Sequence, residues 1–157
     1  MKKIYVAGGC FWGIEEYFKR KQGILDTTVG YLNSNVENPS YELVCTGITN
    51  SAEALEIIYD EKIISLEEIL EYLFKVIDPT SLNKQGNDIG TQYRTGIYTN
   101  NLEEKEIIFK FLLEKSKFYD KKIVFENENL INFYPAEEYH QDYLSKNPNG
   151  YCHIKLD

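Results

Sequence analysis

The chain contains three cysteines, and Cys10 is the one whose neighbouring residues indicate a reactive side chain. It follows Gly8-Gly9, where an apolar, strand-like segment changes to a helical pattern. Glycines at such a point let the backbone turn sharply and stay open to a ligand, and the N–H groups of a helix N-terminus favour a thiolate. The sequence therefore predicts that Cys10 is a nucleophile; the alternative is an inert, buried cysteine.

Two aromatic residues, Phe11 and Trp12, directly follow Cys10, and Trp12 is the only tryptophan in the sequence. A methyl group next to sulfur packs well against aromatic faces, and sulfur–aromatic contacts are favourable. We therefore expect an apolar pocket beside Cys10. The alternative is that both rings are ordinary core residues.

The composition indicates a globular protein, with 157 residues, 43% hydrophobic and 27% charged. This length fits one domain that spans residues 1–157. The net charge is −8 without a long basic cluster, which disfavours nucleic acid and an anionic membrane surface as partners. No apolar run is long enough to span a bilayer, and the apolar stretch near Met1 is too short for a secretion signal. We therefore expect a cytoplasmic protein.

The cysteine pattern argues against structural roles for these residues. The number of cysteines is odd and no C-x-x-C motif is present, so a disulfide framework is disfavoured. A structural zinc site needs four ligands at short paired spacings, and only Cys152 and His153 lie close together. We expect neither a metal nor a cofactor.

The apolar periodicity predicts alternating strands and helices. Strands are expected at residues 3–7, 24–31, 52–59, 95–98 and 123–125, and helices at 11–21, 65–77 and 101–117. Ser65 and Glu68 form a capping box for the second helix, whereas 32–40 and 81–92 read as loops. This order predicts an α/β two-layer sandwich on a split βαβ (ferredoxin-like) core. A long, mostly irregular C-terminal tail should follow Phe133, with one or two helical turns near 136–144.

The segment Gly9-Cys10-Phe11-Trp12-Gly13 resembles the signature of peptide methionine sulfoxide reductases of the A type. The resemblance continues in family order over nearly the whole chain. Its further blocks are residues 38–42, 44–47, 52–53, 78–80, 85–94, 136–144 and 147–152.

This resemblance implies that the protein reduces the S-sulfoxide of methionine, free or in peptides, and assigns three catalytic residues. Cys10 would attack the sulfoxide sulfur, and Glu53 would protonate the oxygen. The resulting sulfenic acid would be resolved by Cys152, and thioredoxin or a similar dithiol protein would reduce the disulfide. On the predicted strand, Glu53 shares a face with apolar residues 55, 57 and 59. Burial there would raise its pKa and keep it able to donate a proton.

The resemblance also implies roles around the substrate. Phe11 and Trp12 match the residues that bind the methyl group, and Tyr41, Asp88 and Tyr93 match those that hold the sulfoxide oxygen or an ordered water. We expect His140 to have a supporting structural role and Cys45 to be a buried structural thiol. We assign no role to His153. We also expect the protein to be a monomer.

Two other functions compete with this interpretation. A thiol peroxidase would also use a thiolate, a sulfenic acid and a resolving cysteine, but it would not need Phe11, Trp12 and Glu53 beside Cys10. A small α/β binding module with inert cysteines would need none of them.

Overall fold

A computed structural model describes residues 1–152 and 154 of the chain. The strands are β1 (Lys2–Gly8), β2 (Ile24–Leu32), β3 (Ala52–Tyr59), β4 (Lys84–Gln85), β5 (Asp88–Ile89), β6 (Thr95–Tyr98), β7 (Glu126–Glu128) and β8 (Phe133–Pro135). The α-helices are α1 (Phe11–Lys19), α2 (Tyr41–Cys45), α3 (Leu66–Phe74), α4 (Leu102–Lys115) and α5 (Tyr143–Lys146). Short 3₁₀ turns are formed by Thr91–Tyr93, Ser116–Phe118 and Glu138–His140.

Six of these strands form one mixed sheet in the order β7-β6-β1-β3-β2-β8, so the fold is of the α/β type. Strand β7 is parallel to β6, and every other neighbouring pair in this sheet is antiparallel. Strands β4 and β5 form a separate two-stranded hairpin. Strand β3 therefore lies between β1 and β2, where its side chains can reach both.

The two faces of the sheet pack against different partners. Helices α1 and α3 contribute Phe11, Ile14, Ile69 and Leu73 to the larger core cluster, which also holds the odd-numbered residues 55, 57 and 59 of β3. The opposite face carries a smaller cluster of residues 7, 32, 52, 54 and 98, covered by Leu130 and Phe133. Among the described residues, no helix is long and apolar enough to cross a membrane.

The predicted strands at 3–7, 24–31, 52–59 and 95–98 and all three predicted helices are confirmed, with helix ends a few residues shorter than expected. The capping box is also confirmed, since Ser65 Oγ accepts a hydrogen bond from Glu68 N–H and Glu68 Oε1 accepts one from Ser65 N–H. Asn101 caps α4 by accepting a hydrogen bond from Glu104 N–H.

Four details of the prediction are wrong. The segment expected to be a loop at 81–92 contains the hairpin of β4 and β5, because Lys84 and Gln85 pair with Ile89 and Asp88. The strand expected at 123–125 is β7 at Glu126–Glu128, because Phe125 packs into the core while pairing with β6 begins at Glu126 opposite Gly96. Leu32, which was expected to begin the loop at 32–40, is the last residue of β2. This loop is followed by a helix, α2, that was not predicted. The tail is less irregular than expected, because β8 adds to the sheet edge beside β2. The expected helical turns there are present as the 3₁₀ turn at 138–140 and α5.

Candidate active site

Cys10 occupies the N-cap position of α1, directly after β1. Gly9 has φ +90°, a left-handed conformation that favours glycine. At Gly8 a Cβ would lie 2.8 Å from Ile14 Cδ1 and 3.1 Å from Leu73 Cδ1, so only glycine lets the chain pass this close to α1 and α3. The side chain of Cys10 is 7% exposed. The predicted strand-to-helix position of Cys10 is therefore confirmed.

Glu53 lies on β3 with its side chain on the helix-covered face of the sheet and is 1% exposed. Its Oε1 accepts a hydrogen bond of 3.2 Å from the backbone N–H of Phe11, the residue next to Cys10. Its Oε2 is buried and has no hydrogen-bond partner among the described residues. Burial raises the pKa of Glu53 from 4.5 to about 8, with a smaller contribution from the charge of Asp88. A carboxyl group in this environment holds its proton at neutral pH.

The N–H groups at the N-terminus of α1 favour the Cys10 thiolate, as expected, but burial opposes it more strongly. Burial raises the pKa of the Cys10 thiol well above its ordinary value, and the charges of Glu53 and Asp88 raise it further. The N–H groups of Trp12 and Gly13 lower this pKa, but by less than burial raises it. Cys10 and Glu53 are thus coupled acids, and deprotonation of one makes deprotonation of the other less favourable.

The aromatic residues beside Cys10 are held by the C-terminal part of the chain. Trp12 Nε1–H donates a 3.0 Å hydrogen bond to His140 Nδ1, and the indole stacks on Tyr143 with centroids 3.8 Å apart. Burial lowers the pKa of His140, which keeps the ring neutral and able to accept this bond. Phe11 is buried against His140 and Tyr31. The supporting role expected for His140 agrees with this contact, whereas the role of Tyr143 was not predicted.

Tyr41, Asp88 and Tyr93 reach the same site from three separate segments: α2, β5 and the 3₁₀ turn before β6. Burial and the charge of Glu53 both raise the pKa of Tyr93 and of Tyr41, and the charges of Asp88 and Cys10 also act on Tyr93. Both tyrosines therefore remain hydroxyl donors at neutral pH. The charge of Glu53 therefore acts on both tyrosines, and the charge of Asp88 acts on Glu53.

A hydrogen-bond chain that was not predicted fixes the start of α2. The Tyr31 hydroxyl donates to Glu137 Oε1 at 2.7 Å, and Tyr41 N–H donates to Glu137 Oε2 at 3.0 Å. Glu137 therefore connects β2, α2 and the C-terminal segment. It lies 96 residues from Tyr41, so no local sequence pattern could have indicated the contact.

The other cysteines lie at the edge of the site or outside it. Among the described residues all three cysteines are free thiols. Cys152 is half-buried, with its Sγ donating to Ile154 O at 3.2 Å. The preceding residue, Tyr151, donates a 3.3 Å hydrogen bond to Asp88, so the tail reaches the catalytic site. Cys45 is exposed at the end of α2, and the expectation of a buried thiol is wrong because only Val44 of this short helix is buried.

Two further expectations concern residues outside this cluster. His153 lies outside the described residues. In the part of the chain that the structure describes, no group of three or more His, Cys, Asp or Glu side chains is arranged to hold a metal ion.

Comparison with known proteins gives a family match over the whole site. The family model described as "Peptide methionine sulfoxide reductase" matches residues 2–157. The chain therefore belongs to the peptide methionine sulfoxide reductase family. It is 61% identical to peptide methionine sulfoxide reductase MsrA of Mycoplasma genitalium, over 100% of both chains.

Two solved structures have a similar fold. The reduced form of Mxr1 from Saccharomyces cerevisiae has a TM-score of 0.92 and 39% identity, over 99% of this chain and 91% of that one. Mxr1 in complex with Trx2 has a TM-score of 0.67 and 27% identity, over 99% of this chain and 88% of that one. The resemblance found in the sequence is thus confirmed, and the chain is a methionine sulfoxide reductase of the A type.

Proposed function

We propose that the protein reduces the S-sulfoxide of methionine, free or in peptides, with Cys10 as the nucleophile and Glu53 as the acid. The observation that carries this proposal is the buried Glu53 carboxyl beside Cys10, whose Oε2 has no partner among the described residues. A protonated carboxyl in that place can donate to the oxygen of a bound sulfoxide, which leaves more easily once protonated.

The reduction step is balanced within the site. The Cys10 sulfur bonds to the sulfoxide sulfur as Glu53 donates a proton to the oxygen, and the thiol proton of Cys10 replaces it on Glu53. The hydroxyl then moves from the substrate sulfur to the Cys10 sulfur: the substrate sulfur–oxygen bond and the bond between the two sulfurs break, and a new sulfur–oxygen bond forms on Cys10. Methionine is released, and Cys10 is left as a sulfenic acid. The substrate sulfur gains two electrons and the Cys10 sulfur loses two.

The neighbouring side chains support this chemistry through their positions. Phe11 and Trp12 offer aromatic faces to the methyl group, and the hydroxyls of Tyr41 and Tyr93 can donate to the oxygen as negative charge develops. Asp88 is placed to hold a tyrosine hydroxyl or a water, since it already accepts a hydrogen bond from Tyr151.

Recycling of the enzyme requires Cys152. Its thiol would attack the sulfenic acid on Cys10, form a disulfide and release water, and a dithiol protein such as thioredoxin would then reduce the disulfide. The complex of the related Mxr1 with Trx2 supports such a partner. The contact between Tyr151 and Asp88 supports a tail that starts close enough to reach Cys10.

Four further aspects belong to the same proposal. The order β6-β1-β3-β2, with its antiparallel pairs, supports a split βαβ (ferredoxin-like) core in a two-layer sandwich. The continuous family match supports one domain over 1–157.

We expect a monomer, which sedimentation would test. A cytoplasmic location agrees with the need for reduced thiols, and cell fractionation would test it.

The decisive experiment measures reduction of the two separated methionine sulfoxide epimers with dithiothreitol. We expect the wild type to consume only the S epimer and Cys10→Ser to consume neither. Glu53→Gln should lose about 10²–10⁴-fold in kcat/KM, while Glu56→Gln, on the opposite face of the same strand, should retain activity. A wild type that is inactive on both epimers but turns over peroxide would favour a thiol peroxidase instead.

A further inference from the structure

A second cleft lies beside the catalytic site, between the turn after α2 and the segment that leads into Tyr93. It has a volume of about 470 Å³ and is lined by residues 45–48 on one side and 89–92 on the other. This volume lies within the range of about 300–1,000 Å³ that is usual for small-ligand sites. The two walls lie close together, since a Cβ on Gly47 would be 3.8 Å from Thr91 Oγ1.

Both walls of this flanking cleft continue into the catalytic site. Cys45, on the first wall, is the last residue of α2, the helix that begins with Tyr41. On the second wall, Gln92 directly precedes Tyr93, and Ile89 directly follows Asp88. A molecule that enters the catalytic site therefore has the flanking cleft next to it.

The lining of the flanking cleft carries exposed apolar surface on both walls. Ile48 and Ile89, one on each wall, are 68% and 71% exposed. Single exposed apolar residues are ordinary, but two on facing walls of one cleft make a surface that a ligand could cover.

The position of the reacting groups indicates what covers this surface. Cys10 and Glu53 are nearly fully buried, so a methionine sulfoxide side chain must extend inward while its main chain stays at the mouth of the site. In a polypeptide, the residues on either side of methionine sulfoxide then lie against the surface around the entrance of the catalytic site. An apolar side chain there would cover the exposed surfaces of Ile48 and Ile89.

We propose that the flanking cleft is a subsite for an apolar residue next to methionine sulfoxide in an unfolded polypeptide. This inference rests on the proposed function and names its substrate class. Methionines with apolar neighbours are mostly buried in folded proteins, so such a subsite would favour oxidised segments that unfolding has exposed.

The test compares two blocked tripeptides with S-sulfoxide at the centre, one with leucine and one with alanine on both sides. Dithiothreitol is the reductant, so docking of a protein reductant does not contribute. We expect the wild type to have about fivefold higher kcat/KM for the leucine peptide, because part of a leucine side chain is buried. Ile48→Ser and Ile89→Ser should each bring the ratio of the two values close to one.

Ile131→Ser is the matched control, because Ile131 is 78% exposed but lies against a different surface cavity. It should keep the wild-type ratio. Equal kcat/KM for both peptides in the wild type, or an unchanged ratio in both cleft variants, would overturn the subsite. A wild type that reduces free methionine sulfoxide but shows no leucine preference refutes the subsite alone. A wild type inactive on free and peptide sulfoxide overturns the proposed function, and the subsite with it.

Discussion

Replacing Glu53 by glutamine should make the protein more stable while it removes the acid. The carboxyl is 1% exposed, and burial raises its pKa from 4.5 to about 8. Below about pH 4.5 the carboxyl is protonated in both the folded and the unfolded chain. As pH rises toward 8, the unfolded chain ionises first, so the free energy of unfolding falls over this window. Glutamine is neutral throughout and avoids this loss.

The size of the effect follows from the two pKa values. The interval from 4.5 to about 8 corresponds to roughly 5 kcal/mol, because one pKa unit equals about 1.36 kcal/mol. The gain of Glu53→Gln over the wild type should be roughly 1 kcal/mol at pH 5.5, roughly 3 kcal/mol at pH 7 and roughly 5 kcal/mol at pH 9. The amide oxygen can still accept the hydrogen bond from Phe11 N–H.

Urea unfolding at these three pH values, followed by the fluorescence of the single tryptophan Trp12 and by circular dichroism, measures this gain. Glu37→Gln, at an exposed glutamate, serves as the control and should change stability by less than about 0.5 kcal/mol at every pH. A variant that is no more stable than the wild type, or whose gain does not grow with pH, would refute a buried, protonated Glu53.

Four other measurements test the remaining steps. Cys152→Ser should release one methionine per enzyme without external thiol and accumulate sulfenic acid at Cys10, as mass spectrometry after dimedone treatment would detect. The kcat/KM of the wild type should fall about tenfold per pH unit above about pH 8, where Glu53 loses its proton; a flat profile up to pH 9.5 would contradict the acid role. Iodoacetamide at pH 9 should alkylate Cys10 faster in Glu53→Gln than in the wild type, because the carboxylate charge that raises the thiol pKa is gone. Glu15→Ala should lower the free energy of unfolding by about 2 kcal/mol in urea titration, because the buried carboxylate accepts a 2.7 Å hydrogen bond from Asp142 N–H.

The positions of the two central residues could be predicted because each depends on a local pattern. Alternation along β3 places Glu53 with the apolar side chains that face the helices, and the structure has it there. The Gly8-Gly9 pair before Cys10 is likewise a local pattern, and it indicates the turn from strand to helix. The order of strands and helices also follows from periodicities that are long enough to be recognised.

The features that could not be predicted depend on distant contacts or on short segments. Trp12 and His140 are 128 residues apart, so their hydrogen bond appears only in the folded chain. Helix α2 has five residues with only Val44 buried, too few for an apolar period. Asn50, just before β3, has φ +53°, a conformation that asparagine tolerates better than most residues.

The raised pKa of Cys10 has the same cause as the acidity of the site, because the burial that keeps Glu53 protonated also opposes a thiolate. A resting site with both groups protonated is neutral and avoids a buried charge. Attack removes a proton from Cys10 while the sulfoxide oxygen takes one from Glu53, so no net charge need form inside the site. The nucleophile is then generated only when a sulfoxide is present to accept the acid's proton. Such coupling would limit reaction of Cys10 with other electrophiles, since Glu53 cannot transfer its proton to a molecule that lacks a basic oxygen.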